Sequence, residues 1–248
     1  MKNLNILVYL AIILFTRTGP AAAGPIENWR TFEVAVRDGN IPKKEAALKL
    51  AALVPGLSSY AEDVTLSGST WAFPLEGYES RAVSKQDFKP GTVYGPYGTK
   101  GYDFFDGNRH GGHPAHDIFI HDRNRNCLDD GTGLQVKAVA MEDCVVLSVN
   151  TGWKKGGLLR GGNYVWLYNP KDNKFFYYAH LNEIYVKAGD KLKAGQALGT
   201  VGRSGRLARL KTSPTHVHLM VLEYKGGKLL LFDYYDKIKT SRIGELAN

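Results

Sequence analysis

The sequence predicts a mainly β protein: an antiparallel sheet domain preceded by a small helical N-terminal segment. Three observations carry this. From residue 69 onward, short apolar and aromatic runs alternate with Gly, Asn and Pro turns. The 28 glycines and 14 tyrosines suit many short strands joined by tight turns. Before that point, Ala46, Ala47, Leu50 and Leu53 repeat at helical spacing instead.

Taken in order, the chain opens on what reads as an export signal over residues 1–23. Lys2 supplies the positive start, Leu4 to Phe15 an apolar core, and Ala21-Ala22-Ala23 a small-residue cleavage site. That core is shorter than the roughly 20 residues of a relaxed bilayer span, so no stable span is expected after cleavage. Export to the periplasm, the cell envelope or the medium follows. Residues 24–68 form the helical segment, with Pro42 in the first turn of a helix and Pro55-Gly56 predicted to stop it. This segment reads as a small helix laid on the main domain, or as a cover for its groove. Residues 69–235 read as one β domain. Strands are expected at His113–Ile120, Leu134–Ala140, Cys144–Val149, Asn163–Tyr168 and Lys174–His180, the last two paired as a hairpin across residues 169–173. Very short strands with Ala-Gly turns follow over 186–202, and residues 236–248 read as a polar tail.

The stretch Pro214 to Val221 (PTHVHLMV) organises the rest. In a strand, His216 and His218 project from one face about 7 Å apart, while Val217, Leu219 and Val221 fill the other. Two imidazoles so placed begin a metal site. His113 and Asp117, four apart in a segment running into Ile118-Phe119-Ile120, are expected on one strand face as well. Together with one histidine of the His216/His218 pair they make a His2Asp set. Three protein ligands and an open fourth position are the pattern of catalytic zinc, whereas structural zinc is usually closed by four. Spacing does not choose between His216 and His218. His180, ending an aromatic strand, adds a further imidazole. Two histidines are thus left over for proton transfer and oxyanion stabilisation.

Four separated motifs now stand in order: Asp four residues after His113, Tyr178-Ala179-His180-Leu181, the turn series Val186-x-x-Gly189-Asp190-x4-Gly195-x3-Gly199, and His216-x-His218. This pattern resembles the lysostaphin/LytM-type zinc metallopeptidases over roughly Trp71 to Tyr224. The resemblance implies an antiparallel sheet with a substrate groove. It also implies one zinc ion per chain on His113, Asp117 and His218, with His180 and His216 as catalytic histidines beside it. The implied activity is endopeptidase cleavage of cross-links or bridges in bacterial peptidoglycan, whose peptides would be the partner. One departure is Pro114-Ala115-His116, where many members have Gly two residues after the first histidine. His116 has the opposite strand parity to Asp117 and reads as a core histidine or a support behind the site. His110 and His121 are rival ligands outside any matching motif. The alternative of another class is a non-catalytic LytM-like domain that binds wall or regulates a partner hydrolase. Such domains usually lose ligand residues, and here all five positions are filled. A zinc carboxypeptidase acting on stem peptides would have a longer His-to-Asp gap.

The remaining features bound the partners. A net charge of +8 suits nucleic acid, anionic lipid or anionic wall polymer. Export and the lack of a nucleic-acid motif argue against the first. Cys127 and Cys144 either pair, closing a loop worth roughly 3 kcal/mol, or stand as two buried thiols. The loop Asp122 to Asp130 resembles the front half of a calcium loop but lacks its Gly and final Glu, and plain Asx turns account for it without an ion.

Overall fold

The computed structural model describes residues 23–62, 71–78 and 101–241. The expected export signal and the far end of the tail therefore lie outside the described residues. Among the described residues, no helix is long and apolar enough to cross a membrane.

A seven-stranded sheet dominates, in the order β1-β8-β5-β4-β3-β6, and every pairing in it is antiparallel. Its strands are β1 (His116–Phe119), β3 (Cys144–Asn150), β4 (Asn163–Asn169), β5 (Lys174–Leu181), β6 (Lys191–Leu192), β8 (His216–Lys225) and β9 (Lys228–Leu231). One edge of β8 is shared: β1 pairs with its first half and β9 with its second. A separate ribbon joins β2 (Lys137–Val139) to β7 (Ala197–Thr200). The mainly antiparallel architecture is as the sequence predicts, and β4 and β5 form the expected hairpin.

Both faces of the sheet are apolar, because alternate residues of its strands supply two cores. On one side Ile118, Val146, Leu167, Tyr178, Val217 and Leu219 meet the ribbon and the segment Trp71–Tyr78. On the other, Leu147, Trp166, Tyr168, Phe175, Met220 and Leu222 are covered by two helices, α1 (Pro25–Arg37) and α2 (Lys43–Ala61). A strand buried on both faces reads as a continuous apolar run, which explains Leu219 to Leu222.

The helices differ from expectation. Helix α1 presents Trp29, Phe32 and Val36 to the sheet, a stripe at i, i+3 and i+7 that the sequence reading did not pick out. Trp29 is fully buried and stacks on Phe175 at 4.9 Å. Pro55-Gly56 does not stop α2, which runs on to Ala61. Proline forfeits one backbone hydrogen bond, but Val54, Leu57 and Ala61 are all buried against the core. Burying large apolar side chains is worth about 1.5–3 kcal/mol each, enough to carry the helix through. Residues 236–240, assigned to a polar tail, belong to a short helix α3 (Tyr235–Thr240) that seats Ile238 in the core.

Candidate metal centre and cleft

β1 and β8 are registered so that Asp117 lies directly opposite His218. The side chains meet across the pair, His218 Nδ1 standing 2.9 Å from Asp117 Oδ1. His113 Nε2 approaches the other carboxylate oxygen at 3.1 Å. One ligand atom from each of His113, Asp117 and His218 lies within 4.8 Å of the others. Two imidazole nitrogens and one carboxylate oxygen converging on a point fit zinc. The sequence-predicted trio is thus brought together, though by a route that differs in one respect. β1 begins at His116, so His113 reaches the site from the loop before the strand and not by strand parity.

Of the two further histidines, His216 comes from the same face of β8 as His218, two residues earlier. Its Nδ1 is 2.8 Å from the Pro214 carbonyl and its Nε2 3.7 Å from Asp117 Oδ2. His180 owes its position to a bulge. Asn163 pairs with Leu181 and Tyr164 with Ala179, so His180 is the extra residue in β5, at φ 66°. Strand parity would send it into the core with Tyr178; the bulge re-aims it toward the histidines. Its ring centroid lies 4.8 Å from that of His216 and 5.5 Å from that of His218. His180 Nδ1 is 2.8 Å from the Ser204 carbonyl. A carbonyl only accepts, so in both His180 and His216 a proton sits on Nδ1, and in the neutral ring Nε2 is the nitrogen with the lone pair.

Electrostatics follow from burial and crowding. Burial alone would raise the Asp117 carboxyl, but His216, His113 and His218 around it hold it well below the usual carboxylate range. Burial pushes His218 down to about 4 in spite of Asp117. Burial, then the neighbouring His216 and His218, drives His180 far below the ordinary histidine value. Burial also opposes protonation of His113, yet Asp117 beside it wins and raises its pKa. The chain therefore offers an ionised carboxylate with neutral His218 and His180 at neutral pH, the protonation states that metal binding and base catalysis require.

A cleft of about 250 Å³ opens over this cluster. Its walls include residues that sequence reasoning missed: Glu33 and Arg37 from α1, Phe104, Trp166, Tyr177 and Arg160. Glu33 accepts a 2.7 Å hydrogen bond from the Tyr164 hydroxyl, and Arg37 donates to that hydroxyl oxygen at 2.8 Å. No motif marks Glu33; a charged residue within the apolar stripe Trp29-Phe32-Val36 was the available signal.

The rival histidines stay out of the cluster. His110 lines the cleft, with its ring against Tyr102 and its Nδ1 at the Gly111 carbonyl. His121 sits against Tyr78. His116 faces the opposite core, packed against Tyr234 and Tyr235, as its parity predicts. In the Asp122–Asp130 loop the Asp122 and Asp129 carboxylates are turned inward. Asp122 accepts from the Asn126 and Cys127 amides and from Thr215, while Asp129 accepts from the Tyr78 hydroxyl and the Gly131 and Thr132 amides. The Asx-turn account holds. Cys127 and Cys144 are both free thiols, Cys144 buried in the core beside β6.

Residues 128–229 match the model of peptidase family M23. Lysostaphin of Staphylococcus simulans is 30% identical over 141 residues, which is 57% of this chain and 23% of the relative, so the chain spans under a quarter of that protein's length. Among solved structures, the antimicrobial peptidase lysostaphin from Staphylococcus simulans aligns over 56% of this chain and 47% of its own, at 23% identity and a TM-score of 0.37. A lytM chain from Ruminococcus gnavus aligns over 89% and 97% at 17% identity and a TM-score of 0.46. The matched segment holds His180, His216 and His218, and the β1–β8 pairing adds Asp117 from outside it. Residues 128–229 are thus similar to peptidase family M23, the lysostaphin/LytM type that the motifs of this chain resemble.

Proposed function

We propose that the protein is an exported zinc endopeptidase that hydrolyses peptide cross-links or bridges of bacterial peptidoglycan. The observation that carries this reading is the division of labour among five groups. Three offer converging ligand atoms, and two more imidazoles stand beside them, each fixed through Nδ1 by a backbone carbonyl.

His113, Asp117 and His218 would hold the zinc. When bound, the ion would supply a Lewis acid that makes water nucleophilic near neutral pH and polarises the scissile carbonyl. His216 and His180 then do the proton chemistry. One Nε2 takes a proton from the attacking water. The imidazolium so formed, still anchored through Nδ1, donates to the developing oxyanion or the leaving amine. The aromatic walls of the cleft exclude bulk water and seat the peptide on either side of the reacting bond. All five positions being filled favours an enzyme over a non-catalytic domain of the same type.

The test compares metal content and peptidoglycan cleavage for three alanine variants, with mass spectrometry of the fragments. His216→Ala and His180→Ala should keep zinc and lose about 10²–10⁴-fold in rate. His218→Ala should lose both. If His216→Ala empties the site while His218→Ala keeps zinc, the roles are reversed; if all three remain loaded and active, the hydrolase reading fails.

A further inference from the structure

Two loops at the cleft mouth hold nearly all of the chain's excess charge. Residues 151–162 carry Lys154, Lys155 and Arg160 and no acid. Residues 202–215 carry Arg203, Arg206, Arg209 and Lys211, again with no acid. These seven cations account for all but one unit of the net +8. The loops are fastened together: the Arg206 amide donates to the Leu159 carbonyl, and the Ser204 hydroxyl accepts from the Asn163 amide that follows the first loop. Arg203 is spent internally, donating to the Ser213 and Leu210 carbonyls and so holding the second loop in shape. Lys154, Lys155, Arg206, Arg209 and Lys211 face solvent.

Interspersed with them are leucines that the fold leaves in water. Leu158 is 74% exposed, Leu207 53% and Leu210 39%. A soluble polyanion would use the cations and give the leucines nothing to bury. An anionic bilayer uses both, headgroups for the cations and the acyl boundary for the leucines. We infer that these two loops form a docking surface for an anionic phospholipid membrane. Leu159, Arg160, Leu207, Ala208 and Ser213 also line the cleft, so a docked molecule holds its cleft mouth at the bilayer surface.

The experiment uses the full chain loaded with zinc, and vesicles of phosphatidylcholine alone or with about a third phosphatidylglycerol. Residues 4–15 are mainly apolar and would contribute lipid affinity of their own, so the decisive signal must come from the loops. Trp153 provides it, because Trp29, Trp71 and Trp166 are buried. Brominated lipid in the anionic vesicles should quench Trp153 fluorescence, and Trp153→Phe should abolish the quenching. Replacing Lys154, Lys155, Arg206, Arg209 and Lys211 by Gln should weaken the Trp153-reported binding by about fivefold per charge at low salt. Leu158→Ser with Leu207→Ser should weaken it tenfold or more at unchanged charge. Lack of Trp153 quenching on anionic vesicles would overturn the inference. So would wild-type affinity in the leucine variant together with competition by soluble polyphosphate, which would make the partner a polyanion in solution.

Discussion

Glu33 makes the stability of this fold pH-dependent in a way that can be calculated. It is buried on the inward face of α1, and burial raises its carboxyl from 4.5 to about 7, against the pull of the Tyr164 hydroxyl and Arg37. The folded chain therefore keeps a proton that the unfolded chain has already lost between pH 4.5 and 7. The stability this proton confers is complete below pH 4.5 and is lost as pH rises through 7. At about 1.36 kcal/mol per pKa unit, the loss amounts to roughly 3 kcal/mol by pH 8. Glu33→Gln removes the titration while keeping an oxygen for the Tyr164 hydroxyl. Glu142, also raised to about 7 by burial, and the site histidines titrate in both proteins and cancel in the difference. Urea unfolding of the two proteins at matched zinc, from pH 4.5 to 8, should show the variant gaining roughly 3 kcal/mol on the wild type as pH rises. A difference that stays flat across this range would mean the folded carboxyl is ionised throughout, and that Arg37, not burial, governs it.

Two more substitutions test the geometry. Gly205 has φ 109°, and a methyl there would stand 2.3 Å from the Arg160 carbonyl and 2.9 Å from His180 Nδ1. Gly205→Ala should displace the Ser204 carbonyl that orients His180, cutting peptidoglycan cleavage about 10²-fold or more with zinc retained; an unchanged rate would contradict His180's role. Pro55 is exposed within α2, and Pro55→Ala restores a helical N–H, so thermal unfolding should show a gain of about 1–3 kcal/mol.

What the sequence made legible was local. His216 and His218 could be placed on one strand face because the alternation with Val217 and Leu219 is complete over that run, and the β5 hairpin announced itself by its turn residues. His113 came to the right place for the wrong reason, since a backbone turn after His113 substitutes for the strand that parity assumed. His180 was recognised by its motif, but no periodicity reveals a bulge, and its left-handed backbone conformation depends on the partner strand. Pro55-Gly56 misled because a local stop signal was weighed without the burial of Leu57 and Ala61, which only the sheet supplies. The cleft wall of Glu33 and Arg37 was not legible at all, because which face of the sheet α1 covers is a tertiary choice.

That choice explains why the site lies where it does. β8 is the strand on which everything converges: β1 supplies Asp117 beside His218, β5 sets Ala179 opposite the same residue, and the bulge at His180 follows at once. A slip of one residue between β1 and β8 would turn Asp117 into the opposite core and bring His116 or Ile118 to the cleft. The register is defended by what that slip would bury and expose. Ile118 and Val217 are fully buried on one face, whereas Asp117 is stable on the other only among the histidines that hold its carboxyl ionised. The apolar residues that make β1 and β8 a core pair are therefore the same ones that aim the candidate ligands, and removing Ile118 would disorder the candidate metal centre without touching any of the atoms proposed to bind the ion.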